Sequence, residues 1–234
     1  MNTSQYELCI EVLKRLDRAG VLADMIIIGS WCTLFYQKRF GPAGYMVPLR
    51  TRDMDLLIPR PSLTRTKVDV AELLGDLGFV VGFTGMEGYI RLEHPDLIVE
   101  FLVPERGRGS NKPYPLPNLG VNAQRLRFMD YLAEDSIAVT VDGVVLRLPQ
   151  PARFALHKLV VVGRRLRLRK QDKDRQTAAR ILNALMLRGR MDEIVKGFSA
   201  MPRSWRQTVR RQLGMLADVD VPGRAELEVA LQDA

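Results

Sequence analysis

The first two thirds of the chain alternate between short runs of apolar, β-branched residues and stretches with helical periodicity. Apolar positions three and four residues apart predict helices over 6–22, 31–40 and 66–77. Glycine- and proline-rich segments over 41–48 and 104–119 predict loops. Short apolar runs with turn-forming residues at both ends predict strands over 25–28, 53–58, 80–84, 89–92, 97–103, 137–141 and 144–148. This mixture of helices and short strands is typical of an α+β fold.

The remaining residues have a helical pattern throughout. Pro149-Gln150-Pro151 interrupts the chain, and the helices predicted after it cover 152–169, 172–188, 191–199 and 203–217. The acidic tail from Asp218 onward is expected to be loosely held. The pattern therefore predicts an α/β catalytic lobe over 1–150 and a helical lobe over 151–234.

Two aspartates open one of the predicted strands. Residues two apart in a strand point to the same face, so Asp53 and Asp55 share a face and Met54 points into the other layer. Glu100, inside the strand 97–103, would add a third carboxylate from a neighbouring strand. Mg²⁺ prefers oxygen ligands of this kind, and two such ions can hold and activate a phosphoryl group. A solvated strand end and a solvent-facing glutamate explain the same residues without a metal.

Gly29-Ser30 lies between a predicted strand and a predicted helix. Glycine lets a phosphate approach the backbone closely, and the exposed amides and the dipole of a helix N-terminus favour the anion. A Gly-Ser turn by itself is more often only a turn, but the two aspartates downstream favour phosphate binding. Arg50 and Arg52, just before those aspartates, either neutralise phosphate charge or pair with local carboxylates.

The helical lobe is strongly basic. The residues between Pro151 and Arg211 carry a net charge of +13, against +8 for the whole chain, so the other residues carry −5. The densest run is Arg164-Arg165-Leu166-Arg167-Leu168-Arg169-Lys170. Such a run indicates either a polyanionic partner such as RNA or a set of solvated helix faces.

Two residues of the helical lobe are candidates for nucleotide contacts. Lys158 either reaches a triphosphate as a point charge or extends along apolar surface to solvent. Asp174 is either a site residue or an ordinary acidic partner of a helix N-terminus. We interpret His94 and His157 as structural, because neither lies near a recognisable nucleophile in the sequence.

In their order along the chain, three pieces resemble the nucleotidyltransferase superfamily, which has the DNA polymerase β-like fold. These pieces are Gly29-Ser30, Thr51-Arg52-Asp53-Met54-Asp55-Leu56-Leu57 and Glu100. Two further pieces, Phe154-Ala155-Leu156-His157-Lys158-Leu159 and Lys173-Asp174-Arg175-Gln176-Thr177-Ala178, are similar to the lysine and Lys-Asp motifs of a bacterial branch of the superfamily. Toxin-type nucleotidyltransferases of abortive-infection and toxin–antitoxin systems carry similar motifs.

The resemblance implies a nucleotidyltransferase-like mixed sheet with flanking helices, followed by the helical lobe. It implies catalytic and metal-binding roles, in a two-metal Mg²⁺ site, for Asp53, Asp55 and Glu100. It implies nucleotide binding by Gly29, Ser30, Arg52, Lys158 and Asp174. The implied reaction moves a nucleotidyl group from an NTP, such as ATP, to an acceptor hydroxyl or similar group. The basic lobe points to RNA or tRNA as the acceptor, and a protein side chain or a small molecule is the alternative. The gap between Ser30 and Asp53 is longer than in minimal members of the superfamily, and the third acid is Glu100 where many relatives have aspartate.

Cysteine content and hydropathy indicate the compartment in which the protein is expected. Cys9 and Cys32 are too few for a disulfide framework or a zinc site, and we interpret both as buried thiols. The sequence shows no apolar run of membrane-spanning length and no secretory pattern at the N-terminus, so a cytoplasmic protein is expected. A function of another class also fits the same features, namely a non-catalytic nucleotide- or RNA-binding module or the partner half of a toxin–antitoxin pair.

Overall fold

The computed structural model describes residues 3–41, 51–110, 112–164, 168–216 and 221–232. The chain divides into two compact units. The N-terminal unit comprises Met1–Arg39 and Met46–Pro149, and the C-terminal unit comprises Phe40–Tyr45 and Gln150–Ala234. Within the described ranges, every helix is too short or too polar to cross a membrane.

The N-terminal unit contains helices that flank a mixed sheet. Its helices are α1 (Thr3–Arg18), α2 (Gly29–Phe40), α3 (Val70–Gly75) and α4 (Met129–Ala133). Its strands are β1 (Ile26–Ile28), β2 (Asp53–Leu57), β3 (Val80–Thr84), β4 (Tyr89–Glu93), β5 (Ile98–Pro104), β6 (Tyr114–Leu116), β7 (Val121–Leu126), β8 (Ile137–Val141) and β9 (Val144–Leu148). Short 3-10 turns lie at Leu22–Asp24, Pro61–Leu63 and Pro117–Leu119.

The larger sheet is built around β5. Its strand order is β1-β2-β5-β4-β3, with β7 pairing beside the C-terminal part of β5 and β6 pairing with β7. β5 runs parallel to β2 and to β7, whereas the other neighbours in this sheet are antiparallel. β8 and β9 form a separate hairpin, as the Asp142-Gly143 turn predicts. The prediction of a mixed sheet with flanking helices is confirmed.

The apolar side of α1 covers one face of this sheet at β2. Its completely buried side chains are Cys9, Val12, Leu13 and Leu16. Sγ of Cys9 lies 3.7 Å from Sδ of Met54, which is also completely buried. Because Met54 points to the face opposite its two flanking aspartates, α1 lies on one side of the sheet and the aspartates lie on the other.

The C-terminal unit is helical in its described residues. Its helices are α5 (Pro151–Val162), α6 (Leu168–Met186), α7 (Met191–Ser199), α8 (Arg203–Leu213) and α9 (Arg224–Gln232). The side chain of Gln150 caps α5 by accepting a hydrogen bond from the backbone N–H of Arg153 at 2.9 Å. α5 is buried around most of its circumference because it packs against α6, α7 and α8. The prediction of a C-terminal helical lobe is confirmed.

Helix ends differ from the predicted ones where glycine follows. α1 ends at Arg18 instead of residue 22, because Gly20 takes the left-handed conformation with φ +72°. α5 ends at Val162 instead of residue 169, with Gly163 at its C-cap. Apolar periodicity continues beyond both ends, so the periodicity alone predicts helices that are too long.

Two predictions for irregular segments are wrong. The segment 104–119, predicted as a loop, contains β6, whose pairing partner β7 has too little alternation of apolar residues to be recognised. The C-terminal tail, predicted to be loosely held, contains α9. Leu227 and Leu231 of α9 are completely buried, and Nη2 of Arg210 donates to the carbonyl of Leu231 at 2.6 Å. β7 follows β6 within a few residues, whereas α9 packs against α7 and α8, which lie farther away in the sequence.

Candidate active site

The two aspartates of β2 lie on the polar face of the sheet. Asp53 is exposed and Asp55 is half-buried, while Met54 between them is buried on the other face. Oγ1 of Thr51 donates to Oδ2 of Asp53 at 3.1 Å and accepts from its backbone N–H at 3.2 Å. The alternation that the sequence predicts for this strand therefore places both carboxylates on one side.

Glu100 lies directly beside Asp55. β2 and β5 are parallel, and their register pairs Asp55 with Glu100. Paired residues of neighbouring strands project to the same side of a sheet, so Glu100 joins the aspartates on the polar face, where 27% of its side chain is exposed. The structure thus places on one face of the sheet the three acids that the sequence singles out.

The Gly29-Ser30 turn lies against the carboxylate of Asp55. Gly29 has a φ of +72° and begins α2, and a Cβ built on it would overlap Oδ2 of Asp55 and lie 3.3 Å from its Cγ. Only glycine leaves this space while adopting a left-handed backbone. The hydroxyl of Thr33 donates to the carbonyl of Ser30 at 2.6 Å, which fixes the first turn of the helix. The N-terminus of α2 therefore lies next to the carboxylate of Asp55.

Arg52 is engaged at the edge of this group. Its Nη1 donates to the carbonyl of Pro95 at 2.6 Å, and its own carbonyl accepts from the N–H of Ile98, which extends the pairing of β2 with β5. The side chain is exposed. Arg52 thus has a local structural contact in addition to its predicted role, and Arg50 lies outside the described residues.

Sequence reasoning missed a cation on this face. Arg91 on β4 pairs in register with Glu100, and its Nε lies 3.8 Å from Oε1 of Glu100. Its Nη2 forms an ion pair with Oε1 of Glu93 at 2.6 Å. The alternation of polar and apolar residues in β4 places Arg91 and Glu93 on one face, but sequence alone does not say that this strand lies beside β5.

The predicted nucleotide-binding residues Lys158 and Asp174 belong to the C-terminal unit and contact each other. Nζ of Lys158 on α5 donates to Oδ1 of Asp174 on α6 at 2.6 Å, and 16% and 7% of the two side chains are exposed. Nζ also lies 5.3 Å from the ring centre of Phe154. Each charge therefore compensates the other in a largely buried position.

The basic run is only partly described. Arg164, Arg169 and Lys170 are exposed, whereas Arg165 and Arg167 lie outside the described residues. Exposed cations of this kind are available to a polyanion or to solvent.

The two cysteines and His94 lie in the N-terminal unit. Cys9 and Cys32 are free thiols and buried, as predicted, and burial raises the pKa of Cys9 well above its usual range, so this thiol stays neutral. Nδ1 of His94 accepts from the backbone N–H of Asp96 at 3.1 Å, and its ring packs against Phe79.

The acids fit a hard divalent cation by their chemistry. In the described part of the chain, no three histidine, cysteine, aspartate or glutamate side chains converge tightly enough to hold a metal ion as they stand. Asp53, Asp55 and Glu100 nevertheless offer carboxylate oxygens from one face, which is the donor type that Mg²⁺ takes. The space that Gly29 leaves beside Asp55 lies on the same side. The donor oxygens therefore fit the predicted two-metal site, and the site itself stays a prediction.

Comparison with known proteins adds a family match. The model of the Nucleotidyltransferase family matches residues 7–195 of this chain. No curated protein matches the sequence. Among solved structures, the chain is similar to ANT(2″)-Ia in complex with adenylyl-2″-tobramycin, with a TM-score of 0.44 and 13% identity over 84% of this chain and 98% of that one. It is also similar to an antigenic nucleotidyltransferase-like protein from Paracoccidioides brasiliensis, with a TM-score of 0.43 and 17% identity over 97% of this chain and 92% of that one.

Proposed function

The chain belongs to the nucleotidyltransferase family, and we propose that it transfers a nucleotidyl group from an NTP to an acceptor hydroxyl with the help of Mg²⁺. The observation that carries this proposal is the row of acids on one face of the sheet. Asp55 and Glu100 are paired in register, Asp53 lies on the same face, and the Gly29-Ser30 turn closes against Asp55. This arrangement supports an enzyme in preference to a non-catalytic binding module, because a binding module does not need the third carboxylate.

Binding of the triphosphate is assigned to the first turn of α2, which begins at Gly29-Ser30. The backbone N–H groups at the start of a helix point outward without intrahelical partners, and the helix dipole favours an anion there. Gly29 lets a phosphate oxygen approach the backbone, since it has no side chain, and Ser30 adds a hydroxyl. The turn would orient the α-phosphate toward the acids of β2 and β5.

The acids would hold the metal ions. Asp53 and Asp55 would hold the ion bound to the triphosphate, and Glu100 would complete the second position together with them. When bound, divalent cations at these carboxylates neutralise phosphate charge and lower the pKa of the acceptor hydroxyl. The contribution of the protein is then mainly orientation and electrostatic stabilisation.

The proposed reaction is a displacement at the α-phosphorus. The acceptor oxygen forms a bond to the α-phosphorus, and the bond from that phosphorus to the oxygen bridging to the β-phosphate breaks. Pyrophosphate leaves with the electron pair of the broken bond, and the proton of the acceptor hydroxyl passes to solvent. The product is the acceptor carrying one nucleotidyl group.

RNA, and tRNA in particular, is the acceptor that we propose. The support is the net charge of +13 between Pro151 and Arg211, much of it on exposed side chains of the C-terminal unit. Lysine and arginine side chains bind phosphate groups of nucleic acids without regard to sequence, so this surface would supply affinity and the catalytic face would supply the reaction.

Lys158 and Asp174 have a further role only if their ion pair opens. Separating them leaves a largely buried charge without its partner, which is strongly destabilising. The geometry therefore favours a structural role for this pair, and its direct contact with a nucleotide stays a prediction.

The test is transfer of label from each α-³²P-labelled NTP to total cellular RNA or purified tRNA in the presence of Mg²⁺. We expect label on tRNA with the wild type and none with the Asp53→Asn/Asp55→Asn double variant, which removes two metal-binding charges without changing side-chain size. Asp130→Asn, which alters an exposed ion pair with Arg106 on the same unit, is the matched control and should keep wild-type turnover. Wild-type turnover in the double variant would exclude the proposed site.

A further inference from the structure

Four residues form a row across the polar face of the larger sheet. Asp55 on β2 pairs with Glu100 on β5, and Glu100 pairs with Arg91 on β4. Arg91 in turn pairs with Gly82 on β3. Because paired residues project to the same side, Arg91 is the cation immediately next to the third acid of the candidate active site.

Arg91 has a close hydrogen bond to Glu93 and a longer ion pair with Glu100. Its Nη2 lies 2.6 Å from Oε1 of Glu93, a close, charge-assisted hydrogen bond. Its Nε is buried, has no hydrogen-bond partner among the described residues, and lies 3.8 Å from Oε1 of Glu100. That distance is an ion pair but is too long for a hydrogen bond. Arg91 therefore holds a fixed positive charge, with an unused donor, within reach of Glu100.

Gly82 leaves the space in which the Glu93 carboxylate forms its ion pair with Arg91. A Cβ built on Gly82 would lie 2.5 Å from Oε1 and 2.6 Å from Cδ of Glu93. The backbone of Gly82 is not left-handed, so glycine is needed here for space and not for conformation. The carboxylate of Glu93 thus lies across the backbone of β3, and a side chain at position 82 would displace the group that holds Arg91.

The positive charge of Arg91, held by Glu93, acts on the acids of the candidate active site. Like charges directly opposite each other on neighbouring strands repel, and Asp55 and Glu100 are such a pair. We propose that Arg91 is a positioning residue, which attracts Glu100 from the other side and so fixes its carboxylate in the place that nucleotidyl transfer requires. The inference rests on the proposed function, and it assigns Arg91 no contact with the nucleotide or the acceptor.

The kinetic test compares substitutions of Arg91. In Arg91→Gln we expect kcat to fall about 10- to 100-fold, the usual effect of removing a group that orients a metal ligand. The KM for NTP should change by less than about twofold, because the triphosphate contacts are assigned to β2 and to the first turn of α2. Arg91→Lys keeps the charge but lacks the planar fork that reaches two carboxylates, so it should restore part of kcat. Arg106→Gln, which removes an ion-paired arginine elsewhere on the same unit, should leave both parameters unchanged.

A double-mutant cycle gives a readout that does not depend on activity. If Arg91 acts on Glu100, Arg91→Gln should lower the Tm of the metal-free protein more in the wild-type background than in the Glu100→Gln background. In Glu100→Gln, position 100 carries no charge that needs compensation. Gly82→Val provides a second route to the same result. Valine favours strand formation, but at this position it displaces Glu93, so the variant should fold and show a lowered kcat.

The outcomes separate this inference from the proposed function. Equal losses of Tm in the two backgrounds, or an unchanged kcat in folded Arg91→Gln, would overturn the role of Arg91. Coupling of the Tm values without any NTP turnover in the wild type would instead overturn the proposed function, since the cycle needs no substrate. Coupling together with the split between kcat and KM supports both.

Discussion

At the scale of single residues, Gly29 and Asp55 show how a missing side chain shapes this site. Gly29 has a φ of +72°, and a Cβ there would overlap the carboxylate of Asp55. Gly20 has the same φ, but a Cβ on Gly20 would meet nothing within 4 Å. The two glycines therefore share a backbone requirement and differ only in what surrounds them.

This difference yields a matched prediction. Gly29→Ala and Gly20→Ala should each lower the free energy of unfolding by about 1–2 kcal/mol, the cost of a left-handed alanine. Only Gly29→Ala should also weaken binding of NTP with Mg²⁺, by about tenfold or more, because it displaces Asp55. Isothermal titration calorimetry measures both affinities. An equal loss in the two variants, or none in Gly29→Ala, would show that the contact with Asp55 does not matter for binding.

At the scale of elements, one carboxylate organises the turn that follows β5. Oε1 of Glu105 accepts from the N–H of Ser110 at 3.0 Å, and Oε2 accepts from Nε of Arg127, just beyond β7, at 2.8 Å. The Arg127 hydrogen bond, with that from Ser110, holds the pKa of the Glu105 carboxyl below its ordinary value. Ionised Glu105 therefore joins the end of β5 to the end of β7.

The lowered pKa of Glu105 predicts a pH dependence. A carboxyl whose pKa is lower in the folded state stabilises the protein at pH values above its unfolded pKa of about 4.3, and the effect is lost as the pH falls through the folded pKa. The difference in unfolding free energy between the wild type and Glu105→Gln should thus be constant near neutral pH and shrink in acid. Urea unfolding at a series of pH values measures it. Arg127→Gln is the control, because it removes the main cause of the shift and should flatten the dependence.

The helix α9 shows how an element with a weak sequence pattern is stabilised by its partners. Leu227 is completely buried, whereas 59% of Val229 on the same helix is exposed. Leu227→Ala should lower the free energy of unfolding by about 2–5 kcal/mol, because it leaves a cavity. Val229→Ala should change it by less than about 0.5 kcal/mol. Denaturant unfolding of both variants distinguishes a packed helix from a frayed tail, for which the two changes would be equally small.

At the scale of the whole molecule, charge is distributed unevenly along the sequence. The segment from Pro151 to Arg211 carries +13, far more than solubility needs, while the other residues together carry −5. Arg164 follows the end of α5 and Arg169 lies in the first turn of α6, so these two exposed arginines of the run belong to different elements.

Salt dependence tests whether that charge binds RNA. With Arg164, Arg165, Arg167 and Arg169 changed to Gln, the slope of log Kobs for tRNA against log salt should flatten by roughly one unit for each phosphate group that the variant no longer binds. The matched control makes the same change of charge on exposed cations of the N-terminal unit, namely Arg18, Arg60, Arg65 and Lys67. Filter binding at several salt concentrations measures both slopes. Identical slopes for the two variants, or no binding at low salt, would move the acceptor away from RNA.

Local patterns in the amino-acid sequence predict the local features of the fold. A period of two placed Asp53 and Asp55 on one face of β2 and Met54 on the other, and the Asp142-Gly143 turn marked the hairpin of β8 and β9. Apolar spacing identified most of the helices of both lobes, but not α4 or α9. Each of these features depends on residues within one or two turns of each other, so the pattern that specifies it can be read in the sequence.

Local patterns do not predict which elements lie side by side in the folded chain. The parallel pairing of β2 with β5 places Asp55 beside Glu100, and the pairing of β4 with β5 adds Arg91, which no local pattern marks as part of the site. The same holds for the packing of α9 against α7 and α8 and for the ion pair between Lys158 and Asp174. Periodicity determines which face a residue occupies, whereas the choice of neighbouring strand or helix depends on packing and pairing summed over distant segments.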